Sequence, residues 1–234
     1  MIDAVVVLQA RMASTRLPGK VLVPLGAHTL LAHCVRRLQA AAVGPVIVAT
    51  TLRPDDDEVA AEAERLKCRV VRGPTDDVLA RFMMASVACP SRWVIRATAD
   101  NPALDIGSPE RLLRAVVERD ADYGVEEGHP FGAAVELVSA DTLHRVAAVA
   151  IEPYDREHVT PYVYRHPDQF RIVRIAVPAE LRRPDIRLTV DTPADLAFMR
   201  RVLDRADAGD GPAPLLAVIA AADAVRREMS GEST

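Results

Sequence analysis

Apolar residues run along this chain in two rhythms. Short runs rich in branched side chains, at residues 5–8, 46–50, 69–71 and 93–96, have the length and composition of buried strands. Between them, residues 29–41, 56–66 and 76–87 repeat apolar positions at helical spacing. The latter two open on acidic residues, which favour a helix N-terminus. Strand and helix in alternation predict an α/β fold with a mostly parallel central sheet flanked by helices. Beyond Asp100 the rhythm loosens. A helix is expected at 108–117, short strands at 122–125 and 133–138 around a turn at 128–132, and a helix at 139–148. The segment "DREHVTPYVYRHP" is polar, aromatic and punctuated by proline, and its structure stays open. Strands at 170–177 and 187–190 and helices at 193–204 and 214–229 complete the expectation. The reading is of one domain over 1–229 with a small substrate lobe inserted at about 120–165, and a short polar tail, 230–234, expected to be disordered.

Half of the 234 residues are apolar, 26% are charged and the formal net charge is -4. That balance lacks the basic surplus of a general nucleic-acid binder, so any anion site must be local. No apolar run approaches the roughly 20 residues that span a bilayer, and the N-terminus does not have the form of a signal peptide. A cytoplasmic protein with no nucleic-acid or membrane partner is expected. Cys34, Cys68 and Cys89 have neither metal-ligand spacing nor the number for a disulfide framework, and read as small core residues. Of 29 lysines and arginines only Lys20 and Lys67 are lysines. A lysine closing the first loop therefore suggests a site that wants a compact ammonium, which meets phosphate as a point charge.

That loop is "QARMASTRLPGK". Strand-end backbone at Gln9 and Ala10, with Arg11, Ser14, Arg16 and Lys20, could wrap a polyphosphate, while Gly19 permits close backbone approach. It is neither of the two familiar phosphate loops, and the alternative is a solvated basic loop. "RATADNP" and "RLTVDTP" each run a strand out into an aspartate, Asp100 and Asp191. In an open parallel sheet, ligands sit beyond the carboxyl ends of strands, so the two carboxylates could converge on an oxygen-liganded Mg²⁺ beside the loop. Each could instead be a helix N-cap. In "VVRGPTDDVLARF", Arg72, Gly73, Asp76, Asp77 and Arg81 could read a base or ribose, or the aspartates could serve only the helix start. Asp55, Asp56 and Asp57 read as caps of the helix that follows. Arg156, Glu157 and His158 form a compact set able to bind a substrate and exchange protons with it. No hydrolase triad or zinc spacing is present.

Taken together, "LQARMASTRLPGKVL", "RGPTDDVLARF", "TADNPALD", "REHVTPYVY" and "TVDTPADL" resemble the spore-coat polysaccharide F-type branch of the acylneuraminate and Kdo cytidylyltransferase family, in order from Gln9 to Leu196. The resemblance implies a Rossmann-like, GT-A-type nucleotidyltransferase that uses CTP and Mg²⁺ to transfer CMP to an anionic small molecule such as a sugar acid, sugar phosphate or phosphonate, with a homodimer possible. Matched by position, Arg11, Ser14, Arg16 and Lys20 would hold the triphosphate and Asp100 and Asp191 would bind magnesium. Arg11, Lys20, Asp100 and Asp191 would carry catalysis. Arg72, Gly73 and Asp77 would lie near the cytidine, and Glu136, Arg156, Glu157 and His158 would face the acceptor. Where relatives often carry G-x-D-V-E, this chain has "GAAVE", with Ala134 in place of an acidic residue. A glycosyltransferase consuming a nucleotide sugar, or a non-catalytic nucleotide-binding protein, are the competing readings. The first would normally carry a D-x-D pair where "TADNP" supplies one carboxylate.

Overall fold

The structure, a computed structural model, describes residues 3–206, 209 and 211–231. The strands are β1 (Ala4–Gln9), β2 (Pro24–Leu25), β3 (His28–Thr29), β4 (Val46–Thr51), β5 (Arg69–Gly73), β6 (Trp93–Thr98), β7 (Tyr123–Glu127), β8 (Glu136–Ser139) and β9 (Ile172–Ala176). The helices are α1 (Leu30–Ala40), α2 (Asp57–Arg65), α3 (Val78–Ala88), α4 (Ser108–Glu118), α5 (Ala140–Val149), α6 (Pro153–His158), α7 (Pro161–Arg165), α8 (Pro193–Ala206) and α9 (Leu215–Ser230). Seven strands form one sheet in the order β5-β4-β1-β6-β8-β7-β9. Only β8 runs against its neighbours.

The two-residue period of β1 explains the layers. Val6 and Leu8 point into a cluster with Leu31, Val35, Val59 and Leu112 of α1, α2 and α4. Val5 and Val7 point the other way, to Leu79 and Phe82 of α3 and Leu143 and Val146 of α5. Both faces of the strand are covered, which is why its sequence is an unbroken apolar run rather than an alternating one. A third cluster joins α8 and α9 to Leu25, Leu30, Leu188 and Val190. Thr29 caps α1 by accepting from Ala32 N–H at 3.0 Å, and Ser139 caps α5 by accepting from Thr142 N–H at 3.1 Å.

One sequence expectation changes, and one open segment takes shape. Residues 187–190 do not join the sheet ladder. Arg187 makes one isolated parallel bridge to Phe131, Leu188 N–H donates to Phe131 O and Val190 N–H to Asp100 O, both at 2.8 Å. The segment is an extended strap tied to loops, because its hydrogen-bonding partners themselves lie outside strands. The open segment around residue 155 forms the two short helices α6 and α7. Residues 120–165 give β7 and β8 to the central sheet itself, and Val159 and Val163 of the α6–α7 segment pack into the cluster on the α3 and α5 face of that sheet. Of the tail, Ser230 ends α9 and Gly231 caps it at φ 76°, while residues 232–234 lie outside the described residues.

Glu126 of β7 is the most committed buried carboxylate in this frame. Arg111 of α4 donates to it through Nε at 2.6 Å and Nη2 at 2.9 Å, and His129 Nε2 lies 2.8 Å away. Burial by itself raises this carboxyl's pKa, but the bonds from His129 and Arg111 outweigh it and hold the value down to about 2. Its folded pKa lies below the ordinary 4.5, so its stabilisation is complete above about pH 4.5 and is lost as pH falls toward 2. Glu126→Gln should flatten the acid limb of stability. Denaturant unfolding compared at about pH 5 and about pH 3 checks it: the variant should lose less between the two than the native chain.

Candidate active site

The first loop leaves β1 at Gln9 and is closed on itself. Gly19 N–H donates to Met12 O at 2.9 Å, with Gly19 at φ 72°, a conformation that suits glycine, before a 3-10 turn at Lys20–Leu22. A buried carboxylate holds the loop's other end. Asp56, 1% exposed, accepts from Met12 N–H at 2.6 Å through Oδ1 and from the Thr51 hydroxyl through Oδ2. Its side chain makes no cap bond to α2. The expectation that the Asp55–57 run caps that helix is thereby corrected for Asp56, which organises the loop instead.

Lys20 then turns inward to a position 8% exposed. Its Nζ donates to Asp100 Oδ2 at 3.1 Å, Asp191 Oδ1 at 2.9 Å and the Val190 carbonyl at 2.8 Å. Asp100 follows β6, Asp191 ends the strap, and β1 with β6 forms the middle of the sheet. One ammonium thus joins three chain segments. Neither aspartate caps a helix. After Asp100 no helix begins until Ser108. Before α8, Thr192 Oγ1 accepts from Asp195 N–H at 3.1 Å, and Asp195 Oδ2 accepts from Thr192 N–H at 2.8 Å and Asp191 N–H at 3.0 Å. That reciprocal capping box occupies the helix start and leaves the Asp191 carboxylate to the cations. Arg16 reaches Asp191 Oδ1 at 2.9 Å and Arg187 reaches Oδ2 at 2.6 Å. Burial works to raise the Asp191 pKa, yet Lys20, Arg16 and Arg187 together pull it below the usual carboxylate range.

These groups line a cleft of about 320 Å³ at the carboxyl ends of β1 and β6. It sits at the switch point of the sheet, where one connection leaves β1 toward β4 and a later one returns to β6 on the other side. Of the residues expected from sequence, the cleft gathers Gln9, Ala10, Arg11, Ser14, Arg16, Lys20, Asp100, Asp191, Glu157 and His158. Arg11 spans its mouth, donating to Glu157 Oε1 at 3.0 Å and to Thr75 O at 3.4 Å. The Gln9 side-chain oxygen is buried there without a hydrogen-bond partner, a group still to be satisfied.

Five of the residues that the family resemblance assigns are not among the cleft's lining, and each is engaged elsewhere. Arg72 donates to the carbonyls of Thr51 and Arg53 at 2.8 and 2.9 Å and pairs with Asp57 at 2.6 Å. Gly73 serves packing: a Cβ there would fall 2.8 Å from Met84 Sδ and 3.0 Å from Arg81 Cγ. Asp77 caps α3, accepting from Ala80 N–H at 2.8 Å, and also accepts from Arg156 Nε at 2.7 Å. Arg156 spends its remaining donors on Asp77 and on the carbonyls of Ala147 and Ala150, so its fork is not free for an acceptor. Glu136 is taken up by Arg96 at 2.6 Å, Thr160 at 3.0 Å and the Tyr123 hydroxyl.

Arg81 does reach the cleft. It is 1% exposed, donates to Pro74 O and to Thr75 O, the latter at 3.1 Å, and keeps its Nε buried and unpaired. Burial, then the neighbouring Arg11 charge, lowers its pKa. Ala13, Thr15, Val21, Thr98 and Ala99 complete the wall, and nothing in their residue types announces a site in the sequence. Asp195 was legible in principle, since Thr-x-x-Asp is a capping-box spacing.

The family model described as "Cytidylyltransferase" matches residues 5–213. The chain belongs to the cytidylyltransferase family. It is 34% identical to the spore coat polysaccharide biosynthesis protein SpsF of Bacillus subtilis (strain 168), over 87% of this chain and 88% of that protein. A cytidylyltransferase structure from Leptospira borgpetersenii superposes with a TM-score of 0.88 at 24% identity, covering 98% of this chain and 96% of that one. A structure of CMP:2-keto-3-deoxy-manno-octonic acid synthetase complexed with CTP superposes at 0.66 and 18% identity, over 86% of this chain and 98% of that one. At these identities the superpositions establish the fold: the cytidylyltransferase α/β arrangement with a mostly parallel sheet. Among the described residues no helix is long and apolar enough to cross a membrane.

Proposed function

We propose that this member of the family transfers CMP from CTP to an anionic small-molecule acceptor and releases pyrophosphate. The observation that carries the reading is the Lys20 ammonium held between Asp100 and Asp191 where β1 and β6 end. Two carboxylates there, Asp100 beyond β6 and Asp191 at the end of the strap, already converge on a cation, and Arg11, Arg16 and Arg81 stand around the same cleft. In the reaction an acceptor oxygen forms a bond to the α-phosphorus of CTP while the bond to the bridging oxygen toward the β-phosphate breaks, and pyrophosphate carries away that electron pair. No covalent enzyme intermediate is needed.

The chain's part is positioning and charge. Arg11, Arg16 and Lys20, with the backbone of the closed first loop, bind the triphosphate and offset charge on the leaving pyrophosphate. Arg11 must exchange Glu157 for phosphate oxygens, and Lys20 must yield part of its hold on the two aspartates. The donor set fits Mg²⁺: Asp100 and Asp191 would hold it, two hard oxygen ligands leaving room for phosphate oxygens and water. The ion would supply neutralisation of the transferring phosphoryl oxygens. Gln9, whose side-chain oxygen is unpaired, and Arg81 would read the nucleoside. Glu157 and His158 are the acceptor's neighbours on the opposite wall, and His158 can take a proton if the acceptor arrives as a hydroxyl. Ala134 offers no carboxylate for a sugar hydroxyl, so the acceptor is expected to differ from Kdo and from N-acetylneuraminate. Residues 1–229 act as one nucleotidyltransferase domain in this reading.

CTP with Mg²⁺ should stabilise the fold more than UTP, ATP or GTP does. Ligand at about 100 times its Kd adds about 2.7 kcal/mol, which for a chain of this size moves Tm by roughly 5–10 °C. Differential scanning fluorimetry reads the shift, and equal shifts from all four nucleotides would remove cytidine from the assignment.

A further inference from the structure

The turn between α6 and α7 is held in a conformation its sequence does not favour. Val159 lies at φ 72° and ψ -52°, a region where a β-branched residue is a genuine outlier. Thr160 N–H donates to His158 O at 2.9 Å, closing a γ-turn of the rare, strained hand. A backbone like this persists only where its surroundings over-determine it, and such places cluster at functional sites.

Two things hold it. The Val159 side chain is 1% exposed and belongs to the core cluster on the α3 and α5 face of the sheet. Thr160, 2% exposed, places its hydroxyl 3.0 Å from both carboxylate oxygens of Glu136. Glu136 is a fixed anchor: it is on β8, paired in register with Arg96 of β6, whose guanidinium donates to it at 2.6 Å, and the Tyr123 hydroxyl of β7 donates to it as well. Three strands of the sheet therefore meet the α6–α7 turn through one hydroxyl. The two residues immediately before the turn, Glu157 and His158, are the ones α6 delivers to the cleft.

We propose that Thr160, through its hydrogen bond to Glu136, is a positioning residue: it keeps the turn at Val159 strained and so sets Glu157 and His158 against the cleft. Without the hydroxyl, Glu136 keeps Arg96 and Tyr123, the sheet is undisturbed, and Val159 can relax to negative φ. That relaxation rotates the end of α6, and the Arg11–Glu157 contact and the His158 ring leave their places. The inference deepens the CTP reading and rests on it for what His158 meets there.

The full-length chain carrying Thr160→Val is compared with the native chain and with Thr160→Ser, which restores a hydroxyl. Amide hydrogen exchange reports the turn, and the His158 imidazole proton signal, assigned with His158→Gln, reports the cleft as CTP and MgCl₂ are added. Thr160→Val should exchange about tenfold faster across 156–160, the factor for roughly one lost hydrogen bond. It should lose the CTP-induced shift of the His158 signal while binding CTP within about threefold of native. Thr160→Ser should restore both. If Thr160→Val keeps the His158 response, or if Thr160→Ser fails to restore it, the positioning role is wrong. A native chain that neither binds CTP nor shifts His158 overturns the CTP reading instead, and the exchange data still decide the turn. Should Thr160→Val fail to fold, Thr160→Ala is read by the same criteria.

Discussion

Asp100→Asn and Asp191→Asn should each lower turnover about a hundredfold or more while leaving Tm within a few degrees of native. The substitution keeps shape and removes charge. Were either aspartate a helix cap, Asn would replace it with little consequence, since Asn caps as well as Asp. But Thr192 and Asp195 do the capping before α8, and no helix starts at Asp100. What each variant loses is one of two carboxylates that face a shared cation. Steady-state rates beside thermal melts separate the two roles. Near-native turnover in both variants would mean that the carboxylates do not serve the phosphates.

Lys20→Met should cost about 10²–10³-fold in turnover, the range for removing one preorganised donor from a developing charge. It should also lower stability by about 2 kcal/mol, because a largely buried ammonium with three acceptors is replaced by a thioether. A second consequence separates charge from packing. Asp100 and Asp191 then face each other without Lys20, although Arg16 and Arg187 still hold Asp191. MgCl₂ should therefore raise the Tm of Lys20→Met more than that of the native chain, where the ammonium competes for the same oxygens. Equal responses to MgCl₂ would mean that the two carboxylates do not form a cation site.

Strands β1, β4 and β6 are legible because both their faces are largely buried, so pattern and burial coincide, whereas the two-residue strands β2 and β3 are partly exposed and carry no such run. Residues 187–190, Arg-Leu-Thr-Val, alternate polar and apolar positions as a strand would, yet form no ladder. Their neighbours, Phe131 and Asp100, are loop residues, and pairing partners are not written in the strand's own sequence. The candidate site divides in a similar way. The loop cations and Asp100 converge because they follow the carboxyl ends of β1 and β6, and Asp191 joins them because the strap is tied to Asp100 through Val190 N–H. Arg156, Glu157 and His158 are adjacent in sequence but lie on a helix, where each step turns about 100°. Arg156 consequently meets Asp77 and the carbonyls of Ala147 and Ala150 at the end of α5, while Glu157 and His158 reach the cleft. Glu136 depends on the register of β8 with β6, which sets it opposite Arg96 and which spacing alone does not give. In sequence Asp56 is one of three helix-start acids, and its contacts with Met12 N–H and the Thr51 hydroxyl distinguish it.

Pyrophosphate release by the native chain tests the central claim most directly. Each nucleoside triphosphate is supplied with MgCl₂ against a panel of sugar acids, sugar phosphates and phosphonates, with Asp100→Asn run in parallel. Release that requires CTP and an anionic acceptor, and that falls about a hundredfold in the variant, is the predicted result. Release that proceeds equally with another nucleotide, or CTP-dependent release that Asp100→Asn leaves unchanged, would contradict it.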